Sequence, residues 1–221
     1  EEDPSRRMAL TAENAIERYH ALILLGDAGA GKTFLLRRLA LEQAESFLAQ
    51  QGRSFSELPA AEAPPLLPFY LDLSTYTGGS VREMLLASLR RFGLPSADLE
   101  TAEALVREHS LLLLFDGLGD MAPAHQVEGL AAITTFLSKV GPGHRYVVAC
   151  RGGEFSLFQP WFSRATALSI RELDDMFTRR HLARLLPEGL SRSLHEDADL
   201  SQLMRNARAL DLLAQAPHQG V

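Results

Sequence analysis

A glycine-rich motif of eight residues constrains the fold of this chain more than any other feature. The segment Gly26-Asp-Ala-Gly-Ala-Gly-Lys32-Thr33 follows the pattern G-x-x-x-x-G-K-[ST], with an apolar run before it and an amphipathic segment after it. Glycines let the backbone curl so that successive N–H groups point at phosphate oxygens. Lys32 then adds a positive charge at the β- and γ-phosphates, and Thr33 offers a hydroxyl to Mg²⁺. The motif predicts a phosphate-binding loop between a buried strand and a helix.

The predicted nucleotide contacts cover this loop and the residue after it. They are Gly26, Asp27, Ala28, Gly29, Ala30, Gly31, Lys32, Thr33 and Phe34. The loop binds phosphates and leaves the base to other contacts, so the motif does not distinguish ATP from GTP. The segment from Arg6 to Tyr19, which precedes the first predicted strand, is where we expect contacts to adenine.

A second motif places acidic residues after a run of leucines. Leu111 to Phe115 predicts a buried strand that ends at Asp116, and Asp120 follows in the next loop. A carboxylate at the tip of a buried strand beside a phosphate loop is a common position for a Mg²⁺ ligand. We therefore expect Asp116 and Thr33 to hold the metal and Asp120 to orient the attacking water. The alternative for Asp120 is a helix N-cap ahead of Ala122.

An arginine follows the fourth predicted strand. Arg151 comes directly after Tyr146 to Cys150, and ligands of parallel sheets bind at the carboxyl ends of the strands. There its guanidinium would contact a γ-phosphate, whereas the alternative is a solvent-exposed loop arginine. Lys32, Asp120 and Arg151 are therefore the candidate catalytic residues. Cys150 is expected to be a small buried hydrophobic residue, because no histidine is fixed near it in sequence.

Apolar runs and helical periodicity alternate along most of the chain. Strands are predicted at 20–25, 69–73, 111–115, 146–150 and 165–170. Helices are predicted at 9–19 with Thr11 as N-cap, and at 32–50, 81–92, 99–108 and 126–139. This alternation predicts an α/β fold with a mostly parallel sheet covered by helices on both faces. After Leu173 the pattern is helical to about residue 216, which predicts two domains, 1–171 and 172–221.

Composition excludes several classes of protein. The chain has 221 residues, 46% of them hydrophobic and 23% charged, as in an ordinary globular protein. Its net charge of −6 argues against broad binding to nucleic acid or to anionic membranes. No apolar run is long enough to cross a bilayer, and the first residues do not resemble a secretory signal. The single cysteine fits a reducing compartment, so we expect a cytoplasmic protein.

Taken in order, these motifs resemble the NACHT family of signal-transducing NTPases, in the STAND branch of the AAA-like P-loop ATPases. The resembling segments run from about residue 20 to 215 and read GDAGAGKTFLLRRLA, LLLLFDGLGDM, YVVACRGGEF, ALSIRELDDMFTRRHL and MRNARALDLLA. The resemblance implies a sheet of five strands in the order 5-1-4-3-2 and a bound ATP or ADP with Mg²⁺. Nucleotide exchange, with slow hydrolysis, would switch the assembly of a larger receptor in immunity, cell death or defence against phage.

The resemblance also implies that this chain is the nucleotide-binding core of a longer protein. Winged-helix, sensor and effector domains would be its partners, and the full-length protein would self-assemble. Two positions depart from the family pattern. The family usually has two adjacent acids after Asp-Gly-x, but Gly119 stands at the first of these positions and only Asp120 matches. Asp120 is also shorter than the usual glutamate, which affects the expected hydrolysis rate. Asn206-Ala-Arg208 lacks the usual proline.

Three other functions stay open at the level of sequence. A mechanical AAA-type ATPase would need an arginine finger and a basic pore loop, and the acidic net charge gives this no support. A small-molecule kinase would need an acceptor pocket with a lid. A nucleotide-binding module without hydrolysis would use the same phosphate loop.

Overall fold

Five parallel strands form the centre of the fold. The computed structural model describes residues 10–51, 65–186 and 188–215. The strands are β1 (Ala21–Leu25), β2 (Leu67–Asp72), β3 (Leu111–Asp116), β4 (Arg145–Cys150) and β5 (Thr166–Ser169). They lie in the order β2-β3-β4-β1-β5. This is the predicted order 5-1-4-3-2 counted from the other edge, so both the α/β fold class and the strand order are confirmed.

The position of each strand follows from its residues. All six residues of β3 are buried, because this leucine-rich strand lies between two others and under helices on both faces. β2 begins at Leu67, earlier than predicted, and includes Pro68. Proline cannot donate a hydrogen bond to a neighbouring strand, so it is tolerated here because β2 is an edge strand.

Two hydrophobic layers cover the two faces of the sheet. Residues that alternate along β1, β3 and β4, such as Leu22, Leu112 and Ala149, pack against α1 (Ala12–Arg18) and α2 (Lys32–Gln51). The intervening residues, such as Leu113 and Val148, pack on the other face. The helices there are α3 (Val81–Arg91), α4 (Leu99–Glu108), α5 (Pro123–Lys139) and the short α6 (Phe155–Phe158). Because both faces of the sheet are covered, β1 is apolar throughout and β3 is apolar up to Asp116.

Helix starts follow local capping chemistry. The Thr11 hydroxyl accepts a hydrogen bond from the Asn14 amide, which confirms the predicted N-cap of α1. The α5 helix begins at Pro123, three residues before the predicted start, and its N-cap is Ala122. Proline is favoured in the first turn of a helix because its missing N–H has no helical acceptor there. The alternative interpretation of Asp120 as the N-cap of this helix is therefore wrong.

The last described part of the chain is helical. It consists of α7 (Asp175–Leu185), α8 (Glu188–Glu196), α9 (Ala198–Met204) and α10 (Ala207–Gln215). These helices share a small core of their own, formed by Leu182, Leu186, Met204 and Leu210. The predicted helical C-terminal part is thus present, while the domain boundary at 171/172 stays a prediction. Within the described ranges, no helix has both the length and the apolar character that a membrane span needs.

Candidate nucleotide-binding site

The phosphate-loop motif connects β1 to α2 in a tight curl. The Ala30 amide donates to the Asp27 carbonyl oxygen at 3.1 Å, and α2 begins at Lys32. Gly29 and Gly31 have φ values of +80° and +94°, in the left-handed region that residues with a Cβ rarely adopt. The two glycines therefore give the loop a shape that exposes backbone N–H groups to an anion.

Lys32 lies folded against the loop that precedes it. Its ammonium donates to the carbonyl oxygens of Gly26 and Asp27, at 2.6 and 2.9 Å. Partial burial, followed by the nearby charge of Arg151, lowers the pKa of Lys32. The lysine is thus held at the loop, close to a second cation.

Asp116 ends β3 as a buried carboxylate. It is 6% exposed and accepts a hydrogen bond at Oδ2 from the Tyr70 hydroxyl, at 2.7 Å. Tyr70 belongs to the neighbouring strand β2, and its burial, together with this carboxylate, raises the pKa of Tyr70 to about 12. Asp116 and Thr33 line the same cavity of about 580 Å³, which also contains Lys32.

These residues fit a magnesium ion that arrives with a nucleotide. The described part of the chain holds no group of three or more histidine, cysteine or acidic side chains placed to bind a metal. Mg²⁺ commonly uses only one or two protein oxygens and takes its other ligands from phosphates and water. Asp116 and Thr33 offer a carboxylate and a hydroxyl to the same cavity, which matches that demand.

Arg151 is held between two carboxylates. It follows β4 directly, and its Nη2 donates to Oδ1 of Asp120 while its Nη1 donates to Oε1 of Glu154 at 3.2 Å. Asp120 lies in a 3₁₀ turn after β3, so the network joins the ends of two neighbouring strands. Arg151 and Asp120 both line the cavity of Lys32. The guanidinium is about half exposed and paired, unlike an isolated loop arginine.

Glu154 lies close against Gly119. Its second oxygen, Oε2, is buried and has no hydrogen-bond partner within the structure. A Cβ built on Gly119 would overlap this oxygen, so the glycine makes room for the glutamate. The sequence motifs give Glu154 no role, and its signal is its place in the segment YVVACRGGEF, three residues after Arg151.

The helical C-terminal part closes one side of the cavity. The Asn206 side-chain amide donates to the Ala28 carbonyl oxygen at 3.0 Å, and the Arg208 backbone amide donates to the Gly29 carbonyl oxygen at 3.1 Å. Arg208 and Asp211 line the cavity from α10. The sequence points to this segment only through the family resemblance, which gives these residues no role.

The structure brings most of the predicted site residues to one cavity. Nine of them line it: Ala28, Gly29, Gly31, Lys32, Thr33, Phe34, Asp116, Asp120 and Arg151. Gly26 and Asp27 contribute carbonyl oxygens to Lys32 instead, and Ala30 lies within the curl of the loop. Phe34 is 71% exposed at the cavity. The side chain of Cys150 is buried, as predicted, and its burial raises its pKa to about 11.

The segment predicted to contact adenine lies only partly within the described residues. Residues 6–9 fall outside them. Leu10, Thr11 and Ile16 line a separate apolar cavity of about 650 Å³ together with β1 and β5. Contact of this segment with a base stays a prediction.

Comparisons with known proteins identify a family and a similar fold. A sequence profile of the NACHT domain matches residues 20–189, which is well over half of the chain. The fold is similar to that of AMPPCP-bound DnaA from Aquifex aeolicus, with a TM-score of 0.50 and 16% identity over 90% of this chain and 56% of DnaA. Cdc6p from Pyrobaculum aerophilum is similar at a TM-score of 0.48 and 15% identity, over 91% and 57% of the two chains. This chain thus spans just over half the length of each. A sequence search of curated proteins gives no match.

Proposed function

This chain belongs to the NACHT domain family, and on that premise we propose that it is a nucleotide-dependent signalling switch that binds ATP and ADP and hydrolyses ATP slowly. Its phosphate loop and parallel sheet are those of a nucleotide-binding P-loop NTPase. The observation that supports a switch is the position of Arg151. This cation lies at the cavity of Lys32 and is held there by Asp120 and Glu154, which follow the ends of two different strands.

The proposed phosphate contacts come from the loop and from two cations. The N–H groups between Gly26 and Thr33 face the phosphates, and the N-terminus of α2 adds its partial positive charge. Lys32 would leave its two carbonyl partners in the loop for β- and γ-phosphate oxygens. Arg208 lines the same cavity from α10 and is a further candidate for a phosphate contact.

Asp116 and Thr33 would hold Mg²⁺ together with the phosphates. The metal supplies positive charge that offsets the charge on the phosphates during hydrolysis. Asp116 is suited to this because it is buried and its orientation is fixed by a hydrogen bond. This assignment follows the fit of the oxygen donors in the cavity.

Asp120 is the proposed residue that orients the attacking water. It lies in the turn after β3, one turn beyond the metal-binding strand end, and its carboxylate is already engaged by Arg151. An acid shared with an arginine can accept a hydrogen bond from water through its second oxygen. Gly119 supplies no second acid, so we expect slow hydrolysis.

The switch would work through differential contacts with the γ-phosphate. Arg151 is paired with Asp120 and Glu154, and a γ-phosphate would compete with these carboxylates for its guanidinium, whereas ADP would not. The helical part would respond because Asn206 and Arg208 contact the phosphate loop itself. We propose a boundary near 171/172, with 1–171 binding nucleotide and 172–221 transmitting its state.

The wider role rests on family membership. We propose a cytoplasmic receptor core for immunity or defence against phage, with winged-helix, sensor and effector domains as partners and self-assembly in the full-length protein. Binding without hydrolysis is the second candidate, because the ion pair with Arg151 occupies an oxygen of Asp120 that water would otherwise use. A mechanical AAA-type ATPase has no such supporting observation.

Identification of the nucleotide carried through purification tests the proposal most directly. Protein is denatured and the released nucleotide is identified by chromatography, then ATP and ADP affinities and the steady-state hydrolysis rate are measured with Mg²⁺. ADP retained in near-stoichiometric amount, with turnover below about 1 min⁻¹, supports the switch. This limit is far below the turnover of a typical enzyme, which is roughly 10 s⁻¹. No measurable hydrolysis favours the binding module, and fast turnover contradicts both.

A further inference from the structure

We infer that Tyr70 is a positioning residue for the magnesium-binding carboxylate of Asp116, an inference that rests on the proposed function. Tyr70 lies in β2, and Asp116 is the last residue of the neighbouring strand β3. The parallel register pairs Tyr70 with Leu114, so its side chain reaches along the sheet to the strand end. Its hydroxyl donates to Oδ2 of Asp116 at 2.7 Å.

This hydrogen bond fixes which oxygen of Asp116 is available to a ligand. An aspartate carboxylate has a broad rotational preference about its last bond, so its orientation depends on its partners. Asp116 is 6% exposed, and a carboxylate so deeply buried requires a hydrogen-bond donor. With Oδ2 engaged by Tyr70, Oδ1 is left to face the metal or one of its waters.

Tyr70 is itself in contact with a residue of the helix that follows the phosphate loop. The guanidinium of Arg37 lies 5.3 Å from the centroid of the Tyr70 ring, within the range of a cation–π contact. Arg37 belongs to α2, the helix that begins at Lys32. The helix that presents the phosphate loop therefore also braces the tyrosine that orients the metal ligand.

The chemistry of magnesium sites gives this arrangement a measurable effect. Groups that hydrogen-bond to a metal ligand set its orientation, and their loss weakens metal binding by about tenfold or more. Tyr70 is not among the residues that line the cavity of Lys32, so it would act only through Asp116. Loss of the Tyr70 hydroxyl should therefore reduce the gain in nucleotide affinity that Mg²⁺ provides. It should leave nucleotide affinity in the absence of metal unchanged.

The test is Tyr70→Phe, which retains the ring and removes the hydroxyl. Affinity for a fluorescent, non-hydrolysable ATP analogue is measured in EDTA and at saturating Mg²⁺, and the ratio of the two affinities is the Mg²⁺ coupling. We expect this ratio to fall about tenfold in Tyr70→Phe. Tyr76→Phe is the matched control, because the buried Tyr76 donates its hydroxyl hydrogen bond to the Gly79 carbonyl oxygen at 2.9 Å, away from the cavity.

A double-mutant cycle shows whether Tyr70 acts through Asp116. In an Asp116→Ala background, Tyr70→Phe should produce no further loss of coupling. An unchanged ratio in Tyr70→Phe, or an equal loss of affinity in EDTA, overturns the inference. If thermal unfolding shows that Tyr70→Phe does not fold, Arg37→Gln is measured instead, and a smaller fall in the same ratio is expected; no fall overturns the inference.

These outcomes differ from a failure of the proposed function. If the wild-type chain binds the analogue equally well with and without Mg²⁺, the metal role of Asp116 fails and the Tyr70 inference fails with it. If the wild type shows strong Mg²⁺ coupling and Tyr70→Phe retains it, the proposed function stands and only the positioning role of Tyr70 is lost.

Discussion

The side-chain amide of Asn206 donates a hydrogen bond to the backbone carbonyl of Ala28, at 3.0 Å and across 178 positions of the chain. The same side chain caps α10, since its Oδ1 accepts hydrogen bonds from the amides of Arg208 and Ala209. One residue therefore starts the last described helix and attaches it to the phosphate loop. The two roles can be separated by mutation.

Asn206→Asp is expected to loosen the attachment of α10 to the phosphate loop without uncapping the helix, while the bond from the Arg208 amide to the Gly29 carbonyl oxygen remains. An aspartate oxygen can still accept from the Arg208 amide, but it cannot donate to the Ala28 carbonyl oxygen. Loss of one such hydrogen bond costs about 0.5–1.5 kcal/mol. Hydrogen exchange should then be about two- to tenfold faster in a peptide covering 207–215. Asp197→Asn, at the N-cap of α9, is the control and should leave that peptide unchanged.

Lys32→Ala is expected to weaken ATP binding at least about tenfold. A charge-assisted contact between its ammonium and a phosphate contributes about 1.5–3 kcal/mol. Isothermal titration calorimetry measures the change. The chain has one other lysine, Lys139, which lies at the end of α5 and does not line the cavity of Lys32. Lys139→Ala is therefore a matched control. Unchanged affinity in Lys32→Ala would mean that the phosphate-loop interpretation is wrong.

Asp116→Ala and Asp120→Ala are expected to have different effects. Asp116→Ala should abolish the Mg²⁺ dependence of ATP binding, because it removes the charged one of the two proposed protein ligands and leaves only the Thr33 hydroxyl. Asp120→Ala should leave binding nearly intact and slow hydrolysis, since a residue that orients water acts mainly in the transition state. Binding titrations with and without Mg²⁺, and single-turnover hydrolysis, separate the two. An equal loss of Mg²⁺-ATP affinity in both variants would contradict this division of roles.

Arg151→Ala is expected to lower affinity for ATP more than affinity for ADP. Its guanidinium would gain charge-assisted bonds with a γ-phosphate, and the loss of one or two of them amounts to about 1–3 kcal/mol. Titrations with ADP and with a non-hydrolysable ATP analogue, both with Mg²⁺, measure the difference. Arg82→Ala is the control, because Arg82 is equally exposed, at 47%, and pairs with Glu103 away from the cavity. A similar loss for both nucleotides would make Arg151 a general anion contact.

His144 is expected to make stability depend on pH. The Leu111 amide donates to Nδ1 of His144 at 3.2 Å, and burial lowers the pKa of this histidine. Folding thus favours the neutral ring. The contribution of this ring to the free energy of unfolding is complete above the ordinary histidine pKa of about 6.5, and it is lost as pH falls below that value. His144→Asn keeps an acceptor and removes the titration. Urea unfolding between pH 8 and pH 5 should show that the free energy of unfolding falls less steeply with pH in this variant than in the wild type. An equal fall in both proteins would contradict the role of His144.

Local patterns were enough to predict the sheet and most of the phosphate cavity. The apolar run at Leu111 to Phe115 and the spacing of glycines before Lys32 each describe consecutive residues, whose structure depends mainly on their neighbours in sequence. The predicted start of α5 at residue 126 is wrong by three residues, because Pro123 occupies the first turn of the helix. The alternative N-cap role for Asp120 is wrong because the N-cap is Ala122.

The remaining part of the site depends on contacts between residues that are far apart in sequence, which local sequence patterns do not predict. Tyr70 meets Asp116 only because β2 and β3 pair in one particular register. Asn206 reaches Ala28 only because α7, α8 and α9 bring the chain back to the phosphate loop. Glu154 lies in the segment YVVACRGGEF without an assigned role, and its carboxylate is brought to Gly119 by the turn that follows β4.

The overlap between Glu154 and Gly119 makes the ion pairs of Arg151 depend on the residue at 119. The Glu154 carboxylate fills the space where a side chain at 119 would begin, so any residue larger than glycine there requires the Glu154 side chain to turn away. A Glu154 side chain that turns away would give up its contact with Arg151 and leave that arginine to Asp120. The glycine thus allows two carboxylates to share one guanidinium.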